Sequence, residues 1–142
     1  MSWQSLSVPK APRTRPITKA QIRSYAGKAQ EFADAAASEL AAGRFIAASS
    51  LAVHAGINAA DAVCGARIGQ RAAGDDHSHV LVLLGQAGRD GAEIERELRR
   101  LLPLKTTAEY EPDDVARSTA MKAVERATRC AQIAQRVVNS LT

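Results

Sequence analysis

The stretch STAMKAVERATRCAQIAQRVVNSL, residues 118–141, decides the fold. Its apolar side chains recur in alternating steps of four and three residues, which is the spacing of one face of an α-helix. Ser118 precedes this stripe and is predicted to cap the helix. A stripe this long and regular needs a long neighbouring helix to bury it. The stripe consists of Ala120, Val124, Ala127, Ala131, Ala134, Val138 and Leu141.

A first long helix is predicted over about 18–42. Thr18 and Gln21 fit a capping box, in which the hydroxyl and the amide satisfy two free backbone N–H groups. Apolar residues follow at helical spacing as far as Leu40, and Gly43 is a natural stop.

A second long helix is predicted over about 44–72. Its apolar stripe extends from Ile46 to Cys64. Gly56, Gly65 and Gly69 are costly in a helix interior, so we expect them where a neighbouring helix or a second copy of the chain approaches closely, unless the helix frays near Gly69.

Two shorter helices are predicted between the second and the last. Asp76 is expected to cap one of them, over about 77–86. The other carries isoleucine and leucine on one face until Pro103 interrupts it in its last turn. Residues 104–112 then connect to the final helix.

The composition also favours helices. The chain has 142 residues, which is the size of one domain, and 29 of them are alanine, the best helix former and a poor strand residue. The only candidate strand is Val80–Leu84, and it lacks a partner. We therefore predict an all-α fold, an up-and-down bundle of four to five helices with three long helices and a shorter pair.

Hydropathy and cysteine usage indicate a cytoplasmic protein that is not associated with a membrane. No run approaches the roughly 18 apolar residues of a membrane span, and the N-terminus lacks the apolar core of a secretion signal. Cys64 and Cys130 are too few for a zinc cage or a disulfide framework. They are expected to be small core residues in a reducing compartment.

Residues 1–17 are predicted to be a basic, proline-containing arm, and residues 18–142 to form the bundle. The arm holds Lys10, Arg13 and Arg15 without an acid, and these account for three of the net four positive charges. The arm is either a leader that is disordered or lies along the surface of the bundle, or a basic segment that contacts nucleic acid or a partner.

Common enzyme signatures for phosphate, nucleotide or metal binding are missing, so no cofactor and no metal site are predicted. His77 and His79 lie two residues apart at a predicted helix start and therefore point to different faces. They favour capping and solvent exposure over metal binding.

Two sets of residues remain candidates for binding or chemistry. One set, His54, Asn58 and Asp61, projects from one side of the second helix. These side chains form either a hydrogen-bond network, inside the bundle or at a subunit interface, or a binding or catalytic cleft in which the imidazole transfers protons. Lys105 and Tyr110 lie five residues apart, either in a linker or as a cation and a phenol that line a pocket.

The order of these segments resembles the HEPN superfamily (higher eukaryotes and prokaryotes nucleotide-binding), in particular small stand-alone bacterial proteins of the actinobacterial type. The resemblance covers roughly residues 20–141. It implies an all-α bundle of four or five helices that forms a homodimer. Many members are metal-independent ribonucleases, often toxins paired with a nucleotidyltransferase antitoxin, and others bind nucleotides, RNA or protein without catalysis. The residues that carry the resemblance are Ala47-Ala48, 53–62, Asp76-His77-Ser78, Leu101 to Leu104, 105–112 and the final Ala-rich helix.

The resemblance also indicates where a nuclease site would lie. The family motif is Arg, four to six residues, then His, and in this chain Lys105 and Tyr110 occupy those positions, with Glu109 beside them. Lysine lacks the bidentate fork of arginine, and tyrosine, with an ordinary pKa near 10, is a weak base. A literal match, Arg71 to His77, lies in the loop after the second helix.

Two functions therefore stay open. The first is a toxin–antitoxin-type or RNA-associated module with a metal-independent endoribonuclease site, in which Lys105 or Arg71 holds phosphate and His77 or His54 moves protons. The second is a non-catalytic helical scaffold that binds a protein partner or a nucleotide.

Overall fold

The computed structural model describes residues 13–74 and 77–141, which form five helices and two short strands. The all-α bundle predicted from the sequence is confirmed. In chain order the elements are β1 Thr14–Pro16, α1 Lys19–Ala41, α2 Phe45–Ile68, β2 Gln70–Ala72, α3 Ser78–Leu84, α4 Gly88–Tyr110 and α5 Arg117–Asn139.

Helix α2 lies at the centre of the bundle and packs against α1, α4 and α5. Six of its eight alanines and both cysteines of the chain are buried, which confirms Cys64 and Cys130 as core residues. By length and composition alone, α2 is apolar enough to cross a membrane, with a mean hydropathy of 1.2. A segment of this length and hydropathy was not expected from the sequence. Because three helices cover α2, its apolar character follows from its central place in the core.

The helix starts agree only in part with the predictions. The capping box of α1 is present, with Thr18 and Gln21 bonded to each other's backbone N–H groups. The predicted cap of α5 is wrong, because the helix begins at Arg117 after Ala116, and Ser118 lies in its first turn. The predicted Asp76 cap falls outside the described residues.

Helix α4 is longer than predicted because Pro103 does not end it. The helix runs on to Tyr110 and has 23 residues, so it is as long as α1 and α5 rather than one of a short pair. Proline removes only one helical hydrogen bond, and Leu98 and Leu101 anchor the preceding turns in the core. Residues 104–110 are therefore helical, and Lys105 and Glu109 lie one turn apart on α4.

A small antiparallel ribbon was not predicted. Thr14 to Pro16 pair with Gln70 to Ala72, so α2 ends at Ile68 rather than near residue 72. Gly69 ends the helix in the left-handed conformation, with φ 67°, and sends the chain back along the bundle.

Two of the three glycines predicted to lie at close approaches do so, whereas Gly69 ends α2 and has nothing within 4 Å of its Cβ position. A Cβ at Gly56 would lie 2.9 Å from Leu101 Cδ1, on α4. A Cβ at Gly65 would lie 2.7 Å from Ile22 Cγ1, on α1. The two contacts set how α1 and α4 lie against α2.

Replacing Gly91 tests the packing at the start of α4. We expect Gly91→Ala to lower the free energy of unfolding by about 2 kcal/mol, because its Cβ would overlap the Leu84 carbonyl oxygen and lie 2.6 Å from Ala87 Cβ. Gly27→Ala is the matched change, since Gly27 lies in α1 with nothing within 4 Å of its Cβ position. It should raise stability by up to about 1 kcal/mol. Urea unfolding measures both, and equal effects of the two substitutions would contradict this packing.

Candidate functional site

The polar residues singled out in the sequence fall into two groups in the fold. The first polar group consists of Ser50 and His54 on α2 with Lys105, Glu109 and Tyr110 on α4. The second polar group consists of Tyr25 on α1, Asp61 on α2 and Arg71 on β2.

The carboxylate of Glu109 is the centre of the first polar group. Its Oε1 accepts a hydrogen bond from Ser50 Oγ at 3.1 Å and lies 3.4 Å from His54 Nε2. Its Oε2 lies 3.4 Å from Lys105 Nζ. One carboxylate therefore holds a hydroxyl, an imidazole and an ammonium group from two helices.

Aromatic rings flank the same group. Lys105 Nζ lies 5.4 Å from the ring centroid of Tyr110, and Tyr110 is 73% exposed. The Phe32 and His54 ring centroids are 5.5 Å apart. Asn58, the next residue of the predicted stripe, donates from Nδ2 to the His54 carbonyl oxygen at 2.8 Å, so its amide braces the helix backbone.

The charges of the first polar group stabilise one another. Burial opposes ionisation of Glu109, but the hydrogen bonds from Ser50 and Lys105 and the charges of Lys105 and His54 outweigh it, so the pKa of Glu109 is lowered. The hydrogen bond to Glu109 and its charge, with a smaller contribution from Tyr110, raise the pKa of Lys105. Lys105 and Glu109 are therefore both charged at neutral pH.

The second polar group is a more buried arrangement. Asp61 is 8% exposed, and burial raises its pKa to about 6 despite the opposing charge of Arg71. Burial, together with the charge of Asp61, raises the pKa of the Cys64 thiol to about 12. The Arg71 guanidinium lies 5.6 Å from the Tyr25 ring centroid and donates to the Ala72 carbonyl oxygen at 3.1 Å.

The fold does not bring all four proposed catalytic residues into one group. His54 and Asp61 are seven residues apart on α2, a rise of about 10 Å. Lys105 and Tyr110 lie at the His54 end of this stripe, whereas Arg71 lies at the Asp61 end. His77 is the half-buried residue immediately before α3. Arg71 contacts Tyr25 and Ala72, whereas Lys105 pairs with Glu109, so the two cations have different partners within this chain.

An open groove of about 790 Å³ adjoins the first polar group. Ser50 belongs to both, and the groove is bounded by the start of α2, the end of α4 and the start of α5. Its lining is mainly apolar and includes Phe45, Val115 and Ile46, which is 42% exposed, with Arg117 at one side. Such volume and lining are typical of binding sites.

Among residues 13–74 and 77–141, no cluster of three or more His, Cys, Asp or Glu side chains could hold a metal ion. No known protein-family model matches the chain, and no curated protein matches it either. The HEPN resemblance therefore rests only on the order of residues along the chain.

The pH dependence of stability tests the buried carboxyl of the second polar group. Because the folded pKa of Asp61 is raised from 3.8 to about 6, its proton stabilises the fold below about pH 4, and this contribution is lost as the pH rises through about 6. The loss amounts to at most about 3 kcal/mol. Asp61→Asn should therefore gain stability relative to the wild type between pH 4 and pH 7 in urea unfolding.

Asp113→Asn is the control for that experiment, because Asp113 lies exposed in the loop before α5. Its stability curve should run parallel to that of the wild type. If the Asp61→Asn curve also runs parallel, the raised pKa of Asp61 is wrong.

Proposed function

We propose that the chain is a HEPN-type module that binds RNA, and that Lys105 and His54 hold an RNA phosphate. The observation that carries the proposal is the Glu109 carboxylate, which lies 3.4 Å from both side chains. A phosphate group has the same two-oxygen edge and the same sign of charge, so it can take the place of the carboxylate between them.

The surroundings of this position also suit RNA. The side chains of His54 and Lys105 are 39% and 28% exposed, so a phosphate can reach them from solvent. Tyr110 offers an exposed ring on which an unpaired base can stack. Ser50 supplies a hydroxyl donor to the same position.

His54 also suits metal-independent cleavage. In that reaction His54 takes the proton of a ribose 2′-OH, and the 2′-oxygen bonds to the adjacent phosphorus. The bond to the 5′-oxygen breaks, and that oxygen takes a proton from solvent water, which leaves a 2′,3′-cyclic phosphate and a 5′-hydroxyl end. Lys105 stabilises the charge on the phosphate oxygens. The imidazole of α2 thus substitutes for the histidine that Tyr110 replaces in the family motif.

RNA binding and cleavage in EDTA test this function. We expect the wild type to bind single-stranded RNA with an affinity that falls as salt rises. Lys105→Ala and His54→Ala should each weaken binding about tenfold, which is the effect of one lost charged hydrogen bond. His54→Ala should also abolish any product with a cyclic phosphate end. Fluorescence anisotropy and gel analysis of end-labelled RNA provide the two measurements.

The control for charge alone is Lys28→Ala, which removes a lysine from the exposed face of α1. It should change RNA affinity by less than about twofold. RNA binding that is lost equally in all three variants, or that is not found in the wild type, contradicts the proposal. Growth arrest on expression, relieved by a neighbouring nucleotidyltransferase gene, would add the toxin–antitoxin role.

A second candidate function is a non-catalytic helical scaffold that binds a protein, and the open groove favours it. The groove has an apolar lining, and Ile46 exposes 42% of its surface there. Glu109 already neutralises the cation of the first polar group, which a purely structural role also explains. We further propose that the chain forms a homodimer and that the groove is the contact surface between the two copies.

Sedimentation of two charge variants tests the homodimer. The wild type should sediment at twice the chain mass of 15.1 kDa. Ile46→Asp should sediment as a monomer, because it places a charge in an apolar contact. Val82→Asp is the matched control, since Val82 is 52% exposed on α3, away from the groove. A monomeric wild type, or equal dissociation of both variants, contradicts this contact.

A further inference from the structure

The Glu109 carboxylate occupies the position on which the donors of the first polar group converge. Ser50 donates to it at 3.1 Å, and His54 and Lys105 lie 3.4 Å from its two oxygens. An anion that enters this position must therefore displace a carboxylate of the protein itself.

The location of Glu109 in its helix does not favour a negative charge. Glu109 lies in the last turn of α4, where the helix dipole disfavours anions. Lys105 precedes Glu109 by four residues, which is the weaker order for such a pair. The contacts with Ser50 and His54 on α2 therefore help to hold the carboxylate in place.

Displacement of Glu109 is geometrically simple. Only Tyr110 follows it in α4, and the chain then turns to extended backbone at Glu111. Its side chain is 25% exposed and can rotate into solvent without unfolding the helix. Ser50, His54 and Lys105 then face the incoming anion.

The charge of the anion decides whether the exchange is favourable. An internal phosphodiester carries one negative charge, as Glu109 does, so replacing Glu109 with it leaves the charge at this position unchanged. A terminal phosphate monoester carries about −1.5 to −2 at neutral pH and has three acceptor oxygens. It therefore gains attraction to Lys105 and His54 that a phosphodiester does not gain.

We propose that Glu109 makes the first polar group selective for the terminal phosphate monoester of RNA over an internal phosphodiester. The inference rests on the proposed function, because it concerns the same phosphate position. Glu109 acts as a competing anion, and only a ligand of higher charge displaces it efficiently.

Three labelled RNA ten-mers of one sequence test the selectivity, one with hydroxyl ends, one with a 5′-phosphate and one with a 3′-phosphate. The wild type should bind at least one phosphorylated form about tenfold more tightly than the hydroxyl form. Glu109→Gln should bind the hydroxyl form more tightly than the wild type does. The ratio of the affinities for the phosphorylated and hydroxyl forms should therefore fall towards one.

Glu95→Gln is the matched control for the change in net charge. Glu95 is on the same helix, is paired with Arg99 four residues on, and its side chain is 24% exposed against 25% for Glu109. It should leave the ratio of affinities unchanged.

The outcomes separate the two proposals. If the wild type binds all three RNAs equally through Lys105 and His54, the RNA-binding function stands and the selectivity is wrong. If the ratio survives in Glu109→Gln, phosphate selectivity does not come from Glu109, and the inference is wrong. If neither the wild type nor Glu109→Gln binds any of the RNAs, both proposals fail.

Discussion

The bundle depends on the close burial of α2 by the three long helices around it. Alanines on several sides of α2 are completely buried, among them Ala48, Ala52 and Ala59. An alanine side chain contributes little hydrophobic free energy by itself, so stability requires many of them in dense contact. Short side chains permit that contact because they let neighbouring backbones approach. Because this packing is dense, α2 is rigid, and the side chains that it carries are held in fixed positions.

This close packing also positions the first polar group. Gly56 admits Leu98 and Leu101, which fixes α4 against α2. Arg67, near the end of α2, pairs with Asp90, near the start of α4, as expected for two helices that run antiparallel. Eight residues beyond Leu101, Glu109 then reaches the level of Ser50, near the start of α2. An apolar contact in the core thus decides which polar side chains meet at its edge.

Periodicity predicted the helices well because burial of one face is a local property of the sequence. The cost of glycine in a helix interior separately predicted the close approach at Gly56 and Gly65. Periodicity did not predict that α4 continues past Pro103, because the anchoring of Leu101 in the core is a tertiary effect. The ribbon was missed because strands of three residues are too short to show alternation.

The candidate site was harder to predict than the fold. Lys105, Glu109 and Tyr110 were recognised from their order along the chain, and His54 from its stripe on α2. Their proximity could not be inferred, since Ser50 and Glu109 are 59 residues apart and meet only through the antiparallel packing of α2 and α4. Arg71, from the literal Arg71 to His77 match, lies in the second polar group instead.

The contrast between the two polar groups explains why the first is the better candidate for binding. In the second group Arg71 lies over the Tyr25 ring, and its positive charge acts on the Asp61 carboxyl, which is only 8% exposed. In the first group the side chains of His54 and Lys105 are 39% and 28% exposed, and Glu109 beside them is ionised. An ion pair that remains accessible to water costs little to open. A ligand can therefore compete for the partners of Glu109 at a cost that its own charge offsets, and it cannot do so at Asp61 without disturbing the fold.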